Sequence, residues 1–219
     1  MGGNRVIKLK DLLELNKMVF SNEIMEKHQK QMSRKNEILP NKLYVAEKPP
    51  HDNGSKETLR EIHWLINYND GEIDKNMVKE GDEVIDVFEK YCDDSGLSFD
   101  RKYYKKLLKE SRKPILELKY HYNRPRPYQL AEFYNIEDFK RHELDSAKTP
   151  SYPSGHSIQG YMMGNILGNK YPSHYQQFMD LGKFVSESRL MARAHFPSDV
   201  DFGEKIGILI FNSIKGKVK

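Results

Sequence analysis

Apolar residues in this chain return at three- and four-residue steps and nowhere alternate convincingly with polar ones, and that spacing limits what it can fold into. Across residues 9–38, Leu12, Leu15, Val19 and Met25 sit at such steps among many charges, which predicts one or two amphipathic helices with a long polar face. The prolines and the Asn-Gly pair of residues 40–55 predict a loop, after which Ser55 or Thr58 caps a helix through LREIHWLINYN. Helices are expected over residues 78–91, from about 100 to 113, and from Pro114 to just before NRPRP, since proline suits a first helical turn. Residues 128–152 read as irregular in part, with a short helix near 137–144; further helices follow over 157–170, 175–194 and 198–214. No internal repeat is visible. The expectation is an all-α, single-domain helical bundle over residues 1–219, with residues 1–50 as an N-terminal helical extension.

The 219 residues suffice to bury a substantial core. Lys and Arg number 36 against 32 Asp and Glu, and an excess of +4 is too slight to argue for nucleic acid, although local basic clusters can hold small anions. The longest apolar runs are only a few residues, such as ILIF at 208–211, far short of the roughly 18–20 needed to cross a bilayer. Arg5, Lys8, Lys10 and Asp11 interrupt the N-terminus, so it lacks the apolar core of a secretory signal, and Gly2 is followed by no Ser or Thr where a myristoylation motif needs one. Cys92 is the sole cysteine, which excludes an intrachain disulfide and argues against a cysteine-based zinc site. These features predict no membrane partner and a cytoplasmic location, or a periplasmic one if a leader has been removed. Gly160, Gly164 and Gly168 repeat every four residues, which in so polar a chain points to close packing against another helix.

Three short segments carry chemistry. KYHYNRPRP, residues 119–127, gathers Lys119, Arg124 and Arg126 where prolines forbid continued helix. Alone it fits a solvated basic loop as well as an anion site. PSGHS, residues 153–157, directly precedes a helical pattern, where backbone N–H groups form an anion cradle or merely an ordinary cap. The third segment is SRLMARAHFPSD, residues 188–199. Pro197 suits a first helical turn, which would put Asp199 at a helix start with His195 just outside it, where the carboxylate could hold one ring nitrogen or, with Asp201, simply favour the positive helix end.

Together they form one signature: Lys119, six residues, Arg126-Pro127; then Pro153-Ser154-Gly155-His156; then Ser188-Arg189, five residues, His195, three residues, Asp199. This resembles the acid phosphatase and vanadium haloperoxidase superfamily, also called the type 2 phosphatidic acid phosphatases. SYPSGHS and SDVDFGE are similar to the soluble bacterial non-specific (class A) acid phosphatases, which are also nearest in size. The chain departs from those in its single cysteine and in lacking an export signal.

The resemblance implies a helical bundle of that type, with residues 115–205 as the catalytic core. It implies a metal-independent phosphatase for phosphate monoesters, with phosphotransfer to alcohols as a further activity. His195 is then the nucleophile that forms a phosphohistidine, and Asp199 holds its other nitrogen. His156 protonates the leaving group and later activates water. Lys119, Arg126 and Arg189, with the backbone N–H groups of Ser154 and Gly155, hold the phosphoryl oxygens. No cofactor is implied, although vanadate fits the phosphate site. The partners implied are a small phosphorylated substrate and further copies of the chain in a homo-oligomer. The alternatives are a vanadate-dependent haloperoxidase and a catalytically silent phosphate-binding module. Arg124 stands beside the signature, while His121, His142 and His174 read as structural or surface residues.

Overall fold

A computed structural model describes residues 9–217, so the N-terminal readings at Gly2, Arg5 and Lys8 lie outside the described residues. Among the described residues the chain is all-α, with no strand. Its ten α-helices are α1 (Leu9–Lys17), α2 (Glu26–Met32), α3 (Lys56–Asn67), α4 (Lys75–Asp82), α5 (Val84–Asp94), α6 (Arg101–Tyr122), α7 (Pro127–Phe133), α8 (Gly155–Lys170), α9 (Tyr175–Met191) and α10 (Pro197–Ile214).

Helix α8 is the axis of the fold. Eleven of its sixteen residues are buried, on every side, as expected of a helix without a polar face. Its glycines let backbones meet. A Cβ at Gly160 would lie 3.0 Å from Gly182 O of α9, and one at Gly164 only 2.7 Å from Phe178 O. On the opposite side, a Cβ at Gly207 of α10 would meet Ile158 O at 2.6 Å. The three-glycine spacing thus serves close packing between helices of a water-exposed fold. Around α8 the core continues through Phe88, Leu107, Phe178 and Ile210.

Two expected boundaries were wrong, each for a visible reason. Helix α6 runs unbroken through Pro114. Proline has no N–H for the Glu110 carbonyl, and Asn36 Nδ2 donates to that oxygen instead, at 3.3 Å. The expected helix over 78–91 is two, α4 and α5, broken at Glu83 (φ −99°, ψ 71°). Asp82, the last residue of α4, is drawn inward there by Arg189, His156 and Ser146.

The irregular region also differs. Residues 127–133 form α7, with Pro127 in its first turn and the Arg126 N–H donating to Gln129 Oε1 at 2.8 Å. Residues 137–144 are not helical, because their backbone bonds elsewhere: Lys140 O accepts from Arg193, and His142 N donates to Ala192 O. Ser55 caps α3 through Thr58 N–H as expected.

The packing of α8 on α9 makes a test. Gly164→Ala places a methyl against a backbone carbonyl that cannot step aside, so overpacking should cost about 1–3 kcal/mol. Thermal unfolding should drop by several degrees, at roughly 2–4 °C per kcal/mol for a chain of this size.

Candidate active site

Each signature segment reaches the site from a helix end. Lys119 lies in the last turn of α6, which Asn123 closes in the left-handed conformation (φ 48°) that asparagine tolerates. The chain then turns through Arg124 to Arg126, the residue before α7. Ser154 caps α8, so Gly155 and His156 occupy its first two positions, where N–H groups have no helical acceptor. Arg189 projects from the last turn of α9.

The turn from α9 to α10 is held by Arg193, a non-glycine residue at φ 53°. A left-handed conformation costs such a residue roughly 1–2 kcal/mol. Three backbone carbonyls, Lys140 O, Ile66 O and Gly71 O, accept from its guanidinium and hold it there. His195 follows directly, and Asp199 lies in the first turn of α10.

Asp199 is fully buried and densely bonded. Its Oδ1 accepts from Arg124 Nη1 at 2.6 Å, and its Oδ2 accepts from Phe196 N at 2.9 Å and from Ser151 Oγ. Burial pushes its carboxyl up, but the Arg124 charge and the His195 and Ser151 hydrogen bonds outweigh that and hold it well below the usual carboxylate range.

His195 Nδ1 lies 3.4 Å from Asp199 Oδ2, while Arg126 Nη1 donates to His195 Nε2 at 3.0 Å. A guanidinium only donates, so Nε2 carries the lone pair and the proton sits on Nδ1, towards Asp199. Burial, then the Arg126 charge, lowers the imidazole well below the usual histidine range against the pull of Asp199. The ring is therefore neutral, with its Nε2 electron pair turned towards Arg126.

Those cations are buried. Lys119 Nζ donates to Pro150 O at 2.5 Å, and burial with the Arg126 charge lowers it well below the usual lysine range. Arg126 also donates to Ala194 O at 2.7 Å and Thr149 O at 2.8 Å, and burial brings it down to about 10. Arg189 donates to Val78 O at 2.8 Å and Ser188 Oγ at 3.0 Å, with Gly81 of α4 packed against the same serine.

Two findings change the sequence expectation. The Ser154 N–H donates to Asp199 O at 2.9 Å, so the N–H groups turned free at this helix start are those of Gly155 and His156. Sequence reasoning also missed Asp82. Its Oδ1 lies 2.5 Å from Arg189 Nη1 and 3.2 Å from His156 Nε2, and the same histidine nitrogen lies 3.2 Å from Asp82 O. Facing only acceptors, His156 Nε2 carries a proton. Burial lowers His156 below its ordinary value, Arg189 adds to that, and the Asp82 hydrogen bond opposes it. Gly81, two residues before the break at Glu83, is the one local signal in the sequence for a helix end beside Asp82.

Arg124 is a structural neighbour of the site. It pairs with Asp199 and, at 3.0 Å, with Glu61 of α3, and it lies over the Phe196 ring. The groups that can meet an anion are Lys119, Arg126, Arg189 and the start of α8, beside a cavity of about 700 Å³ lined by Lys119, Gly155, His156 and Asp82. Among the described residues no cluster of His, Cys, Asp and Glu has the makings of a metal site. No described helix is long and apolar enough to cross a membrane.

On this all-α fold, a histidine held between a buried carboxylate and buried cations is an arrangement that can meet an oxyanion. Residues 113–216, which contain all three signature segments, match the PAP2 superfamily. The non-specific acid phosphatase of Salmonella typhimurium is 32% identical over 93 residues, 42% of this chain and 36% of that protein. The non-specific acid phosphatase of Salmonella typhi is 31% identical over 93 residues, covering the same shares. The acid phosphatase of Zymomonas mobilis is 25% identical over 179 residues, 74% of this chain and 64% of its own. The chain thus spans about a third to two thirds of the length of these relatives.

The Arg124 ion pairs make a test. Arg124→Ala would strand Asp199 and Glu61, and removing one member of a buried pair costs about 3–5 kcal/mol. Chemical denaturation should show that loss. Arg124→Lys should recover only part of it, because an ammonium cannot span both carboxylates as the fork does.

Proposed function

We propose that the chain is a phosphatase that hydrolyses phosphate monoesters, without a metal, through a phosphohistidine at His195. The observation that carries this reading is the tautomer: Nε2 accepts from Arg126 while the Nδ1 proton faces Asp199. An electron pair is thereby aimed at the place where cations would hold a phosphoryl group. The names of the Salmonella and Zymomonas relatives agree with it.

Nε2 attacks phosphorus as the bond to the leaving oxygen breaks. The imidazolium formed keeps its Nδ1 proton, stabilised by Asp199. Lys119, Arg126, Arg189 and the N–H groups of Gly155 and His156 take the equatorial oxygens, whose charge spreads in the transition state. His156 gives its proton to the departing alkoxide, then takes one from the water that cleaves the phosphorus–nitrogen bond and releases phosphate. An alcohol in place of that water gives phosphotransfer. The arriving phosphate competes with Asp82 for Arg189 and His156, which frees the histidine proton for the ester oxygen. Vanadate, which takes the same five-coordinate geometry, should inhibit. The functional particle on this reading is a homo-oligomer, to be checked by sedimentation mass.

The two histidines separate in a trapping experiment with p-nitrophenyl phosphate in EDTA. His195→Ala should abolish turnover and leave no acid-labile phosphoenzyme. His156→Ala should slow turnover by about 10²–10⁴-fold and let a phosphoenzyme accumulate, since it keeps the nucleophile but loses the group that activates water. A phosphoenzyme in the His195 variant, or activity restored only by a divalent ion, would sink the mechanism.

Asp82 has its own signature. The acid role needs protonated His156, so kcat/KM should fall as pH rises through that group's pKa. Asp82 raises the pKa against burial and Arg189, so Asp82→Asn should move this limb to lower pH. The same change removes the resident anion from Arg189 and should lower KM. A merely structural aspartate would move neither.

A further inference from the structure

We propose that the substrate carries a second phosphate about 10 Å from the scissile one, held by a basic track on α6. This deepens the phosphatase reading and rests on it. The cavity beside His156 continues past Lys119 to Arg112, Lys109 and Lys105, all exposed on one side of α6. The same three residues also line an adjoining cavity of about 460 Å³, beside Arg34 and Lys35, so the two spaces meet along this ridge.

Carboxylates along these walls are engaged elsewhere. Asp86 pairs with Arg101 at 2.7 Å and Asp145 with Lys148 at 2.6 Å. Glu37 pairs with Lys106, and Glu110 accepts the backbone N–H groups of Glu37, Ile38 and Leu39. Asp82 is held by Arg189 and His156, and Glu83 is the remaining acidic neighbour, on the α4–α5 side of the cavity. Lys105, Lys109 and Arg112 therefore present a charge surplus towards the space that leads to the site.

Helical rise sets the distance. Arg112 precedes Lys119 by seven residues, roughly 10 Å along the axis, and Lys109 and Lys105 lie roughly 15 and 21 Å away. An anion about 10 Å from the one at Lys119 would lie beside Arg112, with Lys109 and Lys105 further along the same cavity wall. A hexose 1,6-bisphosphate has that span, and a hexose 6-monophosphate lacks the second group. The chain's overall excess of only +4 makes the local surplus a matter of placement rather than of general basicity.

The test compares kcat/KM for hexose 1,6-bisphosphate and hexose 6-monophosphate in the full chain and in K105A/K109A/R112A. These exposed substitutions leave the core untouched. The unmodified chain should favour the bisphosphate about tenfold at low ionic strength, since three exposed charges at and beyond the second phosphate each contribute about twofold. The preference should shrink in salt, and in the triple variant it should fall towards one. Equal values in the unmodified chain, or a preference that survives the triple substitution, would overturn the proposal. Calorimetric binding of the bisphosphate provides a readout without turnover. If no phosphate ester is hydrolysed, p-nitrophenyl phosphate included, the phosphatase reading fails. The track is then judged by whether the triple variant weakens bisphosphate binding; equal affinity rejects it.

Discussion

The buried carboxylate of Asp199 is the interaction on which the rest of the site depends. An ionised carboxylate removed from water is tolerated only when paired and hydrogen-bonded, and Asp199 has donors from three directions. Arg124 ties it to α3 through Glu61, whose other oxygen takes the Ser198 N–H at 2.6 Å. Ser151 ties it to the segment before α8, and Phe196 N and His195 close the turn into α10. The same residue's carbonyl takes the Ser154 N–H. One anion thus registers the start of α10 against the start of α8, and the orientation of His195 follows from that registration.

Such registration needs helices close enough for their ends to meet, and the glycines supply this. Gly203 of α10 lies where a Cβ would come 2.8 Å from Ser154 O, at the very cap that carries Gly155 and His156. Gly81 brings α4 onto Ser188, so that Asp82 reaches Arg189. The packing residues and the chemical residues are therefore adjacent in sequence as well as in space. A change of one methyl group at these contacts acts on the site through the helix ends.

This adjacency explains which parts could be read from the sequence. Lys119, Arg126, His156, Arg189, His195 and Asp199 sit in short segments whose spacing reflects local helix starts and ends, so the structure brings them together as the motifs suggested. All-α character was legible for the same reason, since the apolar steps are local. What escaped depends on distant partners. Pro114 looked like a helix start because the group that satisfies Glu110 O comes from Asn36, 74 residues earlier. Asp82 looked like part of a continuous helix because its break is stabilised by Arg189, 107 residues later. The segment 137–144 carried a helical pattern, yet its backbone partners belong to the α9–α10 turn.

Charge balance gives the arrangement its direction. Around His195 the buried or nearly buried cations Lys119, Arg124, Arg126 and Arg189 face the carboxylates Glu61, Asp82 and Asp199, four against three. Arg124 is matched by Glu61 and Asp199, and Asp82 offsets Arg189, which leaves Lys119 and Arg126 resting mainly on carbonyl oxygens. Carbonyl dipoles hold an ammonium or guanidinium less well than a counter-ion, and both groups are lowered by burial in consequence. The deficit lies beside the lone pair of His195. On the proposed phosphatase reading, a dianion entering there would offset two cations at once, with its phosphorus facing Nε2. Binding and alignment for attack would then be one event on that reading, set by where the fold leaves positive charge uncompensated.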